Sequence, residues 1–214
     1  QNAAPPQLIP EIGQFTLALA LAVASVQASL PLVAAIRGYD SWMGLAKPAA
    51  RIQFLLVFSA FLILVHAFVS NDFSVAYVAQ NSNTALPTAY RVSAVWGAHE
   101  GSLLLWIVIL AGWTYAVTLF DSQLPRSFAA LVLSVMGIVS VGFLSFLMFT
   151  SNPFARLLPA AANGGDLNPL LQDPGLIIHP PMLYVGYVGS SVAFGFAIAA
   201  LIEGRITAQA ARWI

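Results

Sequence analysis

Three histidines and no cysteine bound the chemistry open to this chain. His99 stands beside Glu100 in VWGAHEGSLLLW, residues 95–106, and His179 precedes a proline pair in QDPGLIIHPPMLYVGYVGSS, residues 172–191. A proline drives the residue before it toward extended geometry, and proline is tolerated in the first turn of a helix. His179 therefore reads as the last extended residue before a helix. A neutral imidazole held that way suits a metal or a haem iron. The plainer alternative is a histidine that caps the helix at an interface. His99 and Glu100 fall in the expected first turn of an apolar segment, and adjacent residues on a helix do not face one another. Glu100 there complements the positive end of the helix dipole, with His99 an interfacial polar residue. Alternatively, the two form a polar patch at the mouth of a site. His66, the third histidine, lies about one turn inside the outer end of an apolar run. It reads as a snorkelling or hydrogen-bonding side chain before it reads as a ligand.

These residues are carried by very oily elements. Of 214 residues, 59% are hydrophobic and 7% charged, against about 25% charged in an ordinary soluble domain. A span needs about 20 predominantly apolar residues, and five runs meet that need: 12–36, 52–70, 96–120, 128–150 and 181–202. The expected fold is all-α: a polytopic helical membrane protein with about five transmembrane helices and two long outer-face loops. Residues 1–214 read as a single integral membrane segment. The basic residues set its expected orientation. Arg37, Lys47, Arg51, Arg126, Arg205 and Arg212 fall on one side, and Arg91 and Arg156 on the other. The positive-inside rule puts the larger group in the cytoplasm and the N-terminus outside. The outer connections, 71–95 and 151–179, are then the long ones, and long loops tend to carry function.

Smaller features refine this picture. Gly97 and Gly101 share a small-x-x-x-small spacing, as do Gly186 and Ser190, and the two faces are expected to pack together. Trp96 and Trp106 read as membrane-interface anchors. The stretch LLPAAANGGDLNP is turn-rich and is expected to be the more mobile part of its loop. No zinc spacing, phosphate-cradling glycine loop or basic stripe for nucleic acid is present, and without cysteine the chain offers no thiol of its own. A proton- or ion-coupled transport subunit would place carboxylates or histidines near the midplane. Here the span interiors are nearly free of charge. A purely structural assembly subunit is a further alternative, indifferent to changes at His99 and His179.

WGAHEGSLLLW, NDFSVAYVAQNSNTALP, and FTSNPF followed by DLNPLLQDPGLIIHPPMLYVGYVG together resemble the CcmF family of haem lyase subunits of bacterial cytochrome c maturation. The family's close relative dedicated to nitrite reductase shares these motifs. The resemblance runs from about Ile9 to Ile214. It implies a lyase subunit that takes haem b from the haem chaperone CcmE and helps attach it to apocytochrome c, beside CcmH/CcmI-type proteins that handle the acceptor. It also implies a bacterial inner-membrane location with the N-terminus and functional loops periplasmic. The family's HPP histidine is an axial haem ligand and matches His179. His99 to Ser102 match a family signature without a defined role. Arg91 and Arg156, the outer basic residues, are candidates for haem propionates or a partner's rim. The family's tryptophan-rich WWD haem segment, its second axial histidine and its membrane-haem histidines have no counterpart here, and family members have many more spans. With no initiator Met and an ARWI ending, the chain is expected to be the N-terminal part of a larger or split lyase, partnered by the missing C-terminal part and by lipid.

Overall fold

The computed structural model describes residues 8–120, 124–204, 208 and 211. Arg205, Arg212 and the ARWI ending beyond Ala211 lie outside the described residues. In chain order the helices are α1 (Ile9–Arg37), α2 (Asp40–Met43), α3 (Ala46–Val69), α4 (Ala76–Asn81), α5 (Thr88–Ala94), α6 (His99–Phe120), α7 (Arg126–Thr150) and α8 (Pro174–Glu203), with a 3-10 turn at Pro169–Gln172 before the last. Five stretches are long and apolar enough to cross a membrane: Ile9–Arg37, Asp40–Val69, His99–Phe120, Arg126–Thr150 and Ile177–Glu203. All five expected spans are present.

The ends of α1 show why its residues start and stop a helix. Pro10 occupies the first turn, where its missing N–H has no partner to lose, with Glu11 beside it and Arg37 in the last turn. Gly38 then takes φ 77°, which a side chain would oppose, and its N–H closes on the Ala34 carbonyl at 2.8 Å.

Helix α1 packs between α3 and α7, α3 continues onto α6, and α8 leans on both α6 and α7. Small residues set the closest approach. A Cβ on Gly137 of α7 would lie 3.0 Å from the Ala28 nitrogen of α1, and one turn away the Gln27 amide donates to the Leu133 carbonyl at 2.8 Å. Close backbone contact of this kind drives helix association in lipid, where apolar side chains gain little by leaving the hydrocarbon. The outward faces are apolar, as at Leu55, Leu62, Ile138 and Phe149.

Both long connections gather at one end of the bundle, with the start of α1 and the starts of α6 and α8. Arg37, Lys47, Arg51 and Arg126 sit at the opposite end. The connections interlock. Ala76 N–H meets the Ala155 carbonyl at 2.9 Å, Leu157 N–H meets Ser74 at 2.8 Å, and Gly165 N–H meets Ala79 at 2.7 Å. Thus the turn-rich stretch expected to be mobile is hydrogen-bonded to the other loop, with Asn83 also donating to Asp166 at 2.6 Å.

Two further expectations are corrected. His179 is not the last extended residue before a helix. It is the sixth residue of α8, and Pro180 and Pro181 lie inside that helix. Proline removes one rung of the helical ladder, and the loss is tolerated when another donor takes the freed carbonyl. That donor is the Trp96 indole, whose Nε1 lies 3.0 Å from the Ile177 oxygen. The two small-residue faces do not pack together: among the described residues nothing lies within 4 Å of a Cβ built on Gly186, while Gly97 makes room for Leu167 and Leu171. Finally, Trp96 and Trp106, read as interface anchors, are half-buried against other segments of the chain. Trp106 lies against Phe143, Tyr184 and Tyr187, with ring centroids 5.2–6.0 Å apart.

Candidate functional site

The loop end is assembled around the start of α6. The chain turns through residues 95–98, with Gly97 N–H on the Ala94 carbonyl at 3.0 Å. Tyr77, only 2% exposed, plugs this turn. Its hydroxyl contacts the Val95 oxygen at 3.0 Å and receives the Ala98 N–H at 3.2 Å. Burial pushes the phenol well above its ordinary value of 10; the Ala98 N–H works against that shift, and Glu100 nearby adds to it. Tyr77 therefore remains a neutral hydrogen-bond donor.

This gives a pH-dependent expectation. Tyr77→Phe should cost about 1–2 kcal/mol at neutral pH, by leaving the turn's polar groups unpaired. Below pH 10 the phenol is protonated in both the folded and unfolded chain. Above it the unfolded chain ionises first, so the raised folded pKa makes stability fall as pH climbs. The gap in melting temperature between native and Tyr77→Phe protein should narrow as pH rises above 10.

His99 and Glu100 separate as their spacing requires. Glu100 is half-buried and lines a polar recess of about 320 Å³ with Tyr77, Gln80, Phe149 and Asn152. His99 is exposed on the other side, its ring edge-on to Phe146 with centroids 6.0 Å apart. Beside it opens an apolar groove of about 460 Å³ between α6 and α7, lined by Leu103, Ile138, Gly142, Phe143 and Phe146.

His179 lies at the same end, one helix across. Its imidazole is exposed and has no hydrogen-bond partner among the described residues. Its neighbours Ile178 and Met182 are also exposed. Two contacts link its segment to α6 and the turn before it: the Trp96 bond and a 3.2 Å contact between the Ser102 and Tyr184 hydroxyls. Among the described residues, no three His, Asp or Glu side chains group to hold a metal. His66 is exposed near the end of α3.

The two arginines are fastened to the chain's own acceptors. Arg91 donates from Nε to Leu86 and from Nη2 to Thr84, at 2.7 and 2.9 Å. Arg156 clasps both carboxylate oxygens of Glu11 at 2.7 Å and also bonds the Ser74 hydroxyl, which in turn bonds Asp72. Sequence reasoning missed Tyr77, the Trp96–Ile177 bond and the Glu11–Arg156 clasp. Only the second left a local signal, because Pro181 identifies the carbonyl four residues earlier as the one needing a donor.

Residues 96–212 match the family described as Cytochrome C assembly protein. The chain is 64% identical over 207 residues to "Cytochrome c-type biogenesis protein CcmF" of Pseudomonas aeruginosa, covering 96% of this chain and 32% of that protein. It is 56% identical to the Escherichia coli protein of the same name, again over 96% of this chain and 32% of the relative. A solved structure, "Cytochrome c Heme Lyase CcmF", superposes on the whole chain with a TM-score of 0.84 at 28% identity, over 35% of its own length. The chain thus spans about a third of the length of the curated relatives it matches. With more than half of its residues inside the family match, and the five-span fold in common with a solved relative, the chain belongs to the cytochrome c assembly protein family.

Proposed function

We propose that this chain forms the haem-presenting part of a cytochrome c haem lyase, with His179 as one axial ligand of haem b. The observation that carries the reading is an exposed imidazole, without a partner among the described residues, on a helix segment braced by one contact from α6 and one from the turn before it. The surroundings fit the group. A largely apolar macrocycle finds exposed Ile178 and Met182 beside the imidazole, and one histidine can hold iron from one side while the second ligand comes from another part of the lyase.

When bound, haem supplies the vinyl groups to which the two acceptor thiols add. The chain's contribution is placement. His179 would hold the iron at the loop end, and the interlocked loops would present a braced surface to the acceptor. The contacts of Arg91 and Arg156 favour a role in bracing that surface over one in binding propionates. The surface would receive haem from the chaperone CcmE and the apocytochrome from CcmH/CcmI-type proteins, with the remainder of the lyase completing the site. Charge placement supports a periplasmic loop end in a bacterial inner membrane, with Arg37, Lys47, Arg51 and Arg126 cytoplasmic. Ion coupling is disfavoured, since no Asp, Glu, Lys or Arg is among the buried residues described.

The test is to purify the full-length lyase carrying this chain and record its absorption and pyridine haemochrome spectra. Non-covalent, low-spin haem b is expected. A haem-free protein that still supports cytochrome c formation in cells would overturn the proposal.

A further inference from the structure

We propose that Trp96 is a positioning residue for His179: its indole N–H replaces the backbone donor that Pro181 lacks, and so holds the start of α8 helical with the imidazole turned outward. The inference rests on His179 being a haem ligand. In an α-helix the carbonyl of residue 177 pairs with the N–H of residue 181, and proline has none. Moreover, His179 and Pro180 both precede a proline, which disfavours helical geometry at each. Yet α8 runs unbroken from Pro174.

The compensation comes from the turn that leads into α6. Trp96 Nε1 donates to the Ile177 oxygen at 3.0 Å. The tryptophan is itself fixed at both backbone groups, its N–H on Ser93 at 3.2 Å and its carbonyl accepting from the Ser102 hydroxyl at 2.9 Å. The missing Cβ of Gly97 admits Leu167 and Leu171, from the segment leading into α8, against the same turn. As a result Ile177 is half-buried while His179, two residues on, is exposed. Trp96 acts through the backbone of α8 rather than on iron.

The experiment uses the full-length lyase and measures haem retained per folded protein. Trp96→Phe keeps an aromatic ring and removes the donor, and should lower retention about tenfold, the scale of one orphaned backbone acceptor. Pro181→Ala restores a backbone N–H, so in that background the same change should cost no more than about twofold. In a His179→Gly protein supplied with free imidazole the ligand is no longer tethered to α8, and Trp96→Phe should have no effect on retention. A tenfold loss that persists in the Pro181→Ala background, or in the imidazole-supplied one, overturns the proposal. A different result separates out failure of the ligand reading: His179→Gly would then retain haem without imidazole. In that event amide hydrogen exchange over residues 177–184 decides the remaining point. Faster exchange in Trp96→Phe that Pro181→Ala suppresses supports the replaced-donor role, and unchanged exchange overturns it.

Discussion

A His179→Gly lyase is expected to lose haem by at least about a hundredfold, with a matching fall in cytochrome c output, and to regain both when free imidazole is added. The scale follows from metal sites generally, where disturbing only the groups behind a ligand already costs roughly 10–100-fold in affinity. Rescue is the decisive half. Glycine removes the side chain and leaves a space, and the exposure of His179 gives added imidazole access to it. Loss without rescue would assign the residue to helix entry, as would a fall in folded protein. Retention of haem in the variant would remove His179 from the site. The measurement is the haemochrome spectrum of purified protein together with haem-stained cytochrome c in the same cells.

The second large effect is steric. Gly101→Ala would place a methyl 1.6 Å from the Val95 carbonyl oxygen and 2.7 Å from the Tyr77 hydroxyl. Overpacking against movable side chains costs about 1–3 kcal/mol. Here the first obstacle is backbone in a turn that Tyr77 locks, so a cost of about 3 kcal/mol or more is expected. For a protein of this size that lowers the melting temperature by roughly 6–12 °C. Gly186→Ala is the control, because among the described residues its Cβ meets nothing within 4 Å. It should be neutral or slightly stabilising, since alanine exceeds glycine in helix propensity by about 1 kcal/mol. Equal destabilisation by the two changes would refute the crowding at Gly101.

The contrast between these glycines shows where sequence reasoning reached its limit. A small-x-x-x-small spacing states that something comes close, but not what. At Gly101 it is the protein's own turn and a tyrosine, and at Gly186 it is nothing among the described residues. The five spans were legible because twenty apolar residues in a row have few other solutions. The side-by-side placement of His99 and Glu100 likewise foretold their separation, one toward an apolar groove and the other toward a polar recess. The geometry of His179 was misjudged for a definite reason. The local rule for proline assumes that the freed carbonyl stays unpaired, and its partner here comes from 81 residues away. The two arginines were legible as outer residues, but their acceptors were not. Pairing across 145 positions has no local trace.

That same separation acts on the clock of synthesis. At about 5–20 residues per second, Arg156 is made roughly 7–30 seconds after Glu11. For that interval the carboxylate at the head of the first span waits in the interface without the cation that will clasp it. Nor can the first loop find its hydrogen-bond partners before the second loop exists. The pairing of the two loops therefore waits until four of the five spans have been made. A chain halted before α7 is complete would leave Glu11 without its arginine and the first loop without its hydrogen-bond partners.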